Sequence, residues 1–93
     1  MAKPFSFTAK VCLFPQDNGW HYVPVPPEFT ATLKPLADRG LVAVRATVGS
    51  STWDTSLLPM GDGTQFIPLS AKVRRKEKIE LDSTIKVVFT PRF

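Results

Sequence analysis

Residues 5–13 alternate in character. Phe5, Phe7, Ala9, Val11 and Leu13 fall on one side, and Ser6, Thr8, Lys10 and Cys12 on the other. A period of two predicts a half-buried strand. Pro15 ends it, and Asp17-Asn18-Gly19 reads as a turn, because Asn and Gly tolerate positive φ. Trp20 to Val25 is the returning strand of a hairpin. Its alternation puts Trp20 and Tyr22 on one face and His21 on the other.

Pro26-Pro27 stops this ladder, and Pro27 suits the first turn of a helix, where its missing N–H costs nothing. Phe29, Leu33 and Leu36 then follow as one helical stripe. Pro35 keeps the helix short or kinks it, and Gly40 is expected to cap it. Val42, Val44, Ala46 and Val48 alternate with Ala43, Arg45 and Thr47, a strand of high β propensity. After the turn Gly49-Ser50 the grammar restarts. Trp53, Thr55 and Leu57 alternate up to Pro59, Gly61-Asp62-Gly63 turns the chain, and Phe66 to Leu69 returns. Ser70 is placed to N-cap a second short helix. Ile85, Val87 and Phe89 mark the last strand.

The two passages LFPQDNGWHYVPV (13–25) and LLPMGDGTQFIPL (57–69) lie at a constant offset of 44. Gly19 meets Gly63, Tyr22 meets Phe66, Val23 meets Ile67, Pro24 meets Pro68 and Phe29 meets Val73. One residue is then lost, and at an offset of 43 Val42 meets Ile85, Val44 meets Val87 and Ala46 meets Phe89. Matched prolines and glycines mark backbone geometry rather than mere hydrophobicity. The pattern predicts an internal repeat over 5–48 and 52–90, each copy reading strand, turn, strand, short helix, strand. One copy alone has little to bury against. Two copies related by a pseudo-twofold axis can close an all-β, six-stranded barrel with two short helices and remove the exposed edges.

The 93 residues suffice for one domain, so 1–93 is expected to be a single barrel domain. A single cysteine, Cys12, rules out an intrachain disulfide and makes a reducing cytoplasm the expected compartment. No apolar run approaches a membrane span or a signal-peptide core, which predicts a soluble protein with no membrane partner. The net charge of +4 is concentrated late in the chain. Residues 70–86 hold six basic against three acidic side chains, a local net of +3.

Trp20-His21-Tyr22-Val23-Pro24, Val44 through Gly49, Trp53 through Pro59, Phe66 to Leu69, Arg75 and the closing strand together resemble the bacterial domain-of-unknown-function family 1905. That resemblance implies a small β-barrel whose biochemical role is not established. The family's usual Gly-Asp turn before the last strand is Asp82-Ser83 here. A shorter run, Gly63, Ile67-Pro68, Arg74 or Arg75, Ile79, Ile85 and Val87, is similar to the swapped-hairpin domain of AbrB- and MazE-like transition regulators and antitoxins. It implies barrel topology and, more distantly, DNA binding.

Two groups of residues stand out as candidate binding sites. The run KVRRKEK offers Lys72, Arg74, Arg75, Lys76 and Lys78 to nucleic acid or to an acidic protein. The plainer reading is a solvated helix face, since acidic residues interleave and the matching stretch 28–34 is not basic. Trp20, His21, Tyr22 and Trp53 can stack on a ligand or base, or simply fill a core. His21 has no sequence neighbour with the spacing of a catalytic partner, Gly61-Asp62-Gly63 is not followed by the lysine of a phosphate loop, and nothing has metal-ligand spacing. No catalytic residue, metal or cofactor is therefore expected. The leading expectation is a non-catalytic binding or interaction module, and the alternative is a DNA- or RNA-binding protein of the transition-regulator type.

Overall fold

The computed structural model describes residues 4–14 and 19–92. Pro15, Asp17 and Asn18 of the expected first turn lie outside the described residues. The elements run β1 (Phe5–Lys10), β2 (Cys12–Leu13), β3 (His21–Val25), α1 (Pro27–Leu33), a 3-10 turn (Lys34–Leu36), β4 (Val42–Val48), β5 (Ser51–Pro59), β6 (Gln65–Leu69), α2 (Ala71–Glu77) and β7 (Thr84–Pro91). The strands hydrogen-bond in the order β1-β7-β4-β5-β6-β3-β2, and every pair is antiparallel. β1 and β2 stand at opposite ends of that order but are consecutive in the chain. The sheet therefore curls round into a nearly closed barrel.

The count is seven strands rather than the expected six, because the segment 5–13 divides at Val11. The Val11 N–H donates to the Ser83 carbonyl (2.8 Å), and the Val11 carbonyl accepts from the Asp82 N–H (3.0 Å). Val11 is thereby tied to the turn before β7 and fully buried. Beyond it the chain leaves β7 and pairs with β3, Cys12 facing Tyr22 and Leu13 facing His21. The alternation does not survive this break: Leu13, expected inside, is 42% exposed.

Elsewhere period two holds except in β6, where Gln65, Phe66 and Ile67 are all buried. Val42, Val44, Ala46 and Val48 of β4 point inward, as do Val23 and Val25 of β3, Leu57 of β5, Ile67 of β6 and Val87 and Phe89 of β7. In β3–β6 Val23 lies opposite Ile67, and in β4–β7 Ala46 lies opposite Phe89. Each is a fully or almost fully buried pair at the centre of the core.

α1 starts on Pro27 and buries Leu33. Pro35 has no N–H to continue the helix, so the chain tightens into the 3-10 turn. The change in pitch rotates Leu36 off the stripe, and it is 40% exposed instead of buried. Gly40 does not cap the helix as expected. With Arg39 it forms a two-residue turn in which both φ values are positive (56° and 82°) and Asp38 and Leu41 exchange backbone hydrogen bonds. That is the primed geometry whose twist suits a hairpin. α2 begins as expected, with Ser70 Oγ accepting from the Val73 N–H at 3.2 Å. It ends on Lys78 in the left-handed conformation. Asp82, in the turn before β7, is also left-handed, with φ 71°.

Candidate binding cleft beside the second helix

β5 is a corner strand. Val42–Val48 pair with its first seven residues, and only Leu58 and Pro59 pair with β6. Ahead of Leu58 no ladder joins β5 to β6, and α2 packs against β5 there. A comparable gap lies between β1 and β3, where only the short β2 is paired with β3. α1 fills that gap. Phe29, the third residue of α1, puts its ring edge-on to Phe5 (5.3 Å) and Phe7 (6.3 Å), while Phe5 stacks on Phe89 at 5.0 Å. The third residue of α2 is Val73, a smaller side chain, buried against the barrel. The gap between β5 and β6 stays open as a cleft of about 610 Å³, and Val73 faces the smaller hollow beside it.

Four parts of the chain line this cleft. β5 contributes Trp53, Asp54 and Thr55, the end of β6 contributes Pro68 and Leu69, α2 and its cap contribute Ser70, Ala71 and Arg74, and the entry to β3 contributes Gly19, Trp20 and His21. Ala71 and Arg74 are three apart on α2 and so share a helical face. His21 faces Leu69 directly across the β3–β6 ladder, which places it one step from the start of α2. Trp20 precedes the regular strand, so the expected alternation does not govern it. It lines the cleft together with His21 rather than sharing a face with Tyr22, and it is 55% exposed. Tyr22 lies in a separate cluster, stacked on Phe14 (4.3 Å) and edge-on to Phe66 (5.3 Å). Trp53 packs partly against the core while also walling the cleft.

The basic run divides. Arg74 is half-buried and its Nε donates to the Leu69 carbonyl at 3.4 Å, which turns the guanidinium toward the cleft. Lys72 and Lys76 line a smaller hollow of about 210 Å³ across Trp53 from it. Arg75 and Lys78 are exposed. Five basic side chains adjacent in sequence thus have three different settings, a distinction the run itself does not carry.

The cleft's electrostatics follow from its neighbours. Asp54 sits opposite Arg45 in the β4–β5 register and accepts from Arg45 Nε at 2.9 Å; Arg92 Nη1 lies 3.6 Å from its other oxygen. The Arg45 hydrogen bond holds the Asp54 carboxyl below its ordinary value. Asp54 was not singled out by sequence, although counting back from the Gly49-Ser50 turn places it across from Arg45. His21 is held below the usual imidazole value by burial and then by the Arg74 charge, so it is neutral at physiological pH. Its Nδ1 is buried with no hydrogen-bond partner among the described residues.

A second polar feature ties α2 to the β4–β5 turn. Glu77 accepts from Ser51 Oγ, from Ser50 Oγ (3.1 Å) and from the Ser50 N–H (3.3 Å). These bonds, led by that of Ser51, hold the Glu77 carboxyl below its ordinary value. A Cβ on Gly49 would collide with the same carboxylate. The contact spans 26 positions in sequence, and it fixes the far end of the helix whose first turn walls the cleft.

No group of three or more His, Cys, Asp or Glu side chains among the described residues is placed to hold a metal ion. No helix among them is long and apolar enough to cross a membrane. No curated protein matches the sequence. The model of one family, Domain of unknown function (DUF1905), matches residues 7–89, nearly the whole barrel, and the chain belongs to that family.

Proposed function

We propose that this domain is a non-catalytic binding module that takes its ligand in the cleft beside α2. The supporting observation is convergence: Trp20, His21, Trp53 and Arg74, drawn from three distant parts of the chain, line one opening. The volume falls in the range of about 300–1,000 Å³ common to small-molecule sites. His21 has no hydrogen-bonded carboxylate or nucleophile among the described residues, and its lowered pKa is accounted for by burial and Arg74. A binding role therefore explains the site with fewer parts than a catalytic one.

The chain has two tryptophans, so two indole N–H signals report on the cleft by NMR. Titration with a set of small aromatic fragments is expected to move both. Ala71→Trp, which blocks the cleft from an exposed helical position, is expected to abolish those shifts. Fragment binding that persists in the blocked variant, or that moves only distant residues, would overturn the proposal.

The second reading is a DNA- or RNA-binding protein. It draws on Lys72, Arg75, Lys76 and Lys78, all exposed on or at the end of the helix that walls the cleft. Phosphate contacts release counterions, so such binding should collapse between about 50 and about 200 mM salt. Random duplex DNA and single-stranded RNA that fail to bind at the lower salt would exclude it. In either reading the proposed setting is the cytoplasm. We further read the barrel as two related halves about a pseudo-twofold axis, with 5–13 counted as one strand of six. The pairs Val23–Ile67 and Ala46–Phe89 support this, because each joins residues that the sequence repeat matches.

A further inference from the structure

We infer that the cleft selects a planar aromatic ligand carrying an anionic group, with the ring against Trp20 and Trp53 and the carboxylate or phosphate on Arg74. The inference rests on reading the cleft as the binding site, and it goes further by naming what enters.

Three observations define the class. The first is charge. Asp54 and Arg74 are the charged side chains in the lining, but the Asp54 carboxylate is already engaged by Arg45 and Arg92, neither of which lines the cleft. Among the described residues no carboxylate lies within ion-pair distance of Arg74. The cleft therefore presents one uncompensated positive charge. An arginine fork matches a carboxylate or phosphate with two parallel hydrogen bonds, and Arg74 is oriented in advance by its Nε bond to the Leu69 carbonyl.

The second is shape. Two indoles supply broad flat faces, and Trp20 leaves more than half of its surface in water. A planar ring laid on such a face removes apolar area from water and gains stacking energy. The third is His21, which lines the cleft as a neutral ring and so adds no second cation beside Arg74. A cationic ligand would face Arg74 unpaired, and a purely apolar one would desolvate Arg74 without replacing its hydrogen bonds to water.

The test uses four probes followed by the two indole signals: adenosine monophosphate, adenosine, 1-naphthoate and inorganic phosphate. At least one of the two ring-bearing anions is expected to bind about tenfold or more tightly than adenosine, the step that a charge-assisted hydrogen bond commonly contributes. A preference for the monophosphate identifies phosphate as the recognised group, and a preference for naphthoate identifies carboxylate. Inorganic phosphate alone should bind far more weakly than either. Arg74→Gln should remove the advantage of the anions while leaving adenosine unchanged, and Arg74→Lys should restore part of it.

Adenosine binding as tightly as both anions overturns the inference, as does an equal effect of Arg74→Gln on charged and neutral probes. Inorganic phosphate binding as tightly as the ring-bearing anions overturns it too, since the indoles would then contribute nothing. Neutral rings that move both indoles with no anion preference would end this inference while leaving the binding-module proposal standing. A failure of all four probes to move either indole would count against both.

Discussion

Replacing Phe29 by Val tests whether this ring seals the gap between β1 and β3. Truncating a core Phe to Ala costs about 3–5 kcal/mol. Val has under half as many side-chain carbons as Phe, and Phe29 is half-buried, so the lost transfer energy is about 1.5 kcal/mol at about 0.8 kcal/mol per buried methylene. The edge-on contacts to Phe5 at 5.3 Å and Phe7 at 6.3 Å are lost as well. Each such contact is worth about 0.5–1.5 kcal/mol, the closer one more. With both contacts near the low end of that range, the expected cost is about 2.5–3 kcal/mol, or a fall in Tm of about 10–24 °C for a domain of this size. Urea unfolding followed by tryptophan fluorescence measures it directly. The two indole NMR signals should stay in place, because Phe29 does not line the cleft. A loss below about 0.5 kcal/mol, the scale of an ordinary surface change, would refute the idea that this ring is the seal. Large indole shifts would show that the two gaps are not independent.

Three further outcomes are expected. Glu77 has a folded-state pKa below its model value of 4.5, so its stabilisation is complete above that value and is lost as pH falls through the lower folded value; Glu77→Gln should lower the urea midpoint at pH 7 and narrow the difference from the native chain at pH 3, and an unchanged midpoint at pH 7 would show that the serine bonds contribute nothing. Asp82→Ala should cost about 1 kcal/mol because alanine resists the left-handed conformation at that position, whereas Asp82→Gly should cost nothing or stabilise slightly; equal losses in thermal melts would refute the backbone explanation. Gln65 is 4% exposed and its side-chain oxygen has no partner among the described residues, so Gln65→Met should be neutral or stabilise by up to about 1 kcal/mol; a clear loss in the urea midpoint would mean that the amide is satisfied in solution.

Much of the barrel could be read from alternation alone. β4 and β7 emerged with their inward faces correct because nothing interrupts period two between Val42 and Val48 or between Ile85 and Phe89. Prediction failed where a backbone event outside the pattern intervened. Leu13 turned outward because Val11 is diverted to the loop before β7, and Leu36 turned outward because Pro35 changes the helical pitch. The aromatic and basic candidates were visible as residue types, but not as neighbours. Arg74 looks like Arg75 in sequence, and only the packing of α2 against β5 turns one toward Trp53 and the other toward water. The bond from Ser51 to Glu77 depends on the same packing and has no local signature.

The division at Val11 also bears on how the chain can acquire its shape. β1 finds its ladder partner in β7, with Phe5 opposite Phe89, so the barrel's first strand waits for its seventh. Until Thr84–Pro91 has emerged, one edge of β1 and one edge of β4 have no partner, and both are open to pairing with other chains. Pairings this distant in sequence slow folding and lengthen the exposure to aggregation. Closure of the barrel therefore waits for β7 to emerge, and the partly made barrel, rather than the finished fold, is the state in which this domain is most vulnerable.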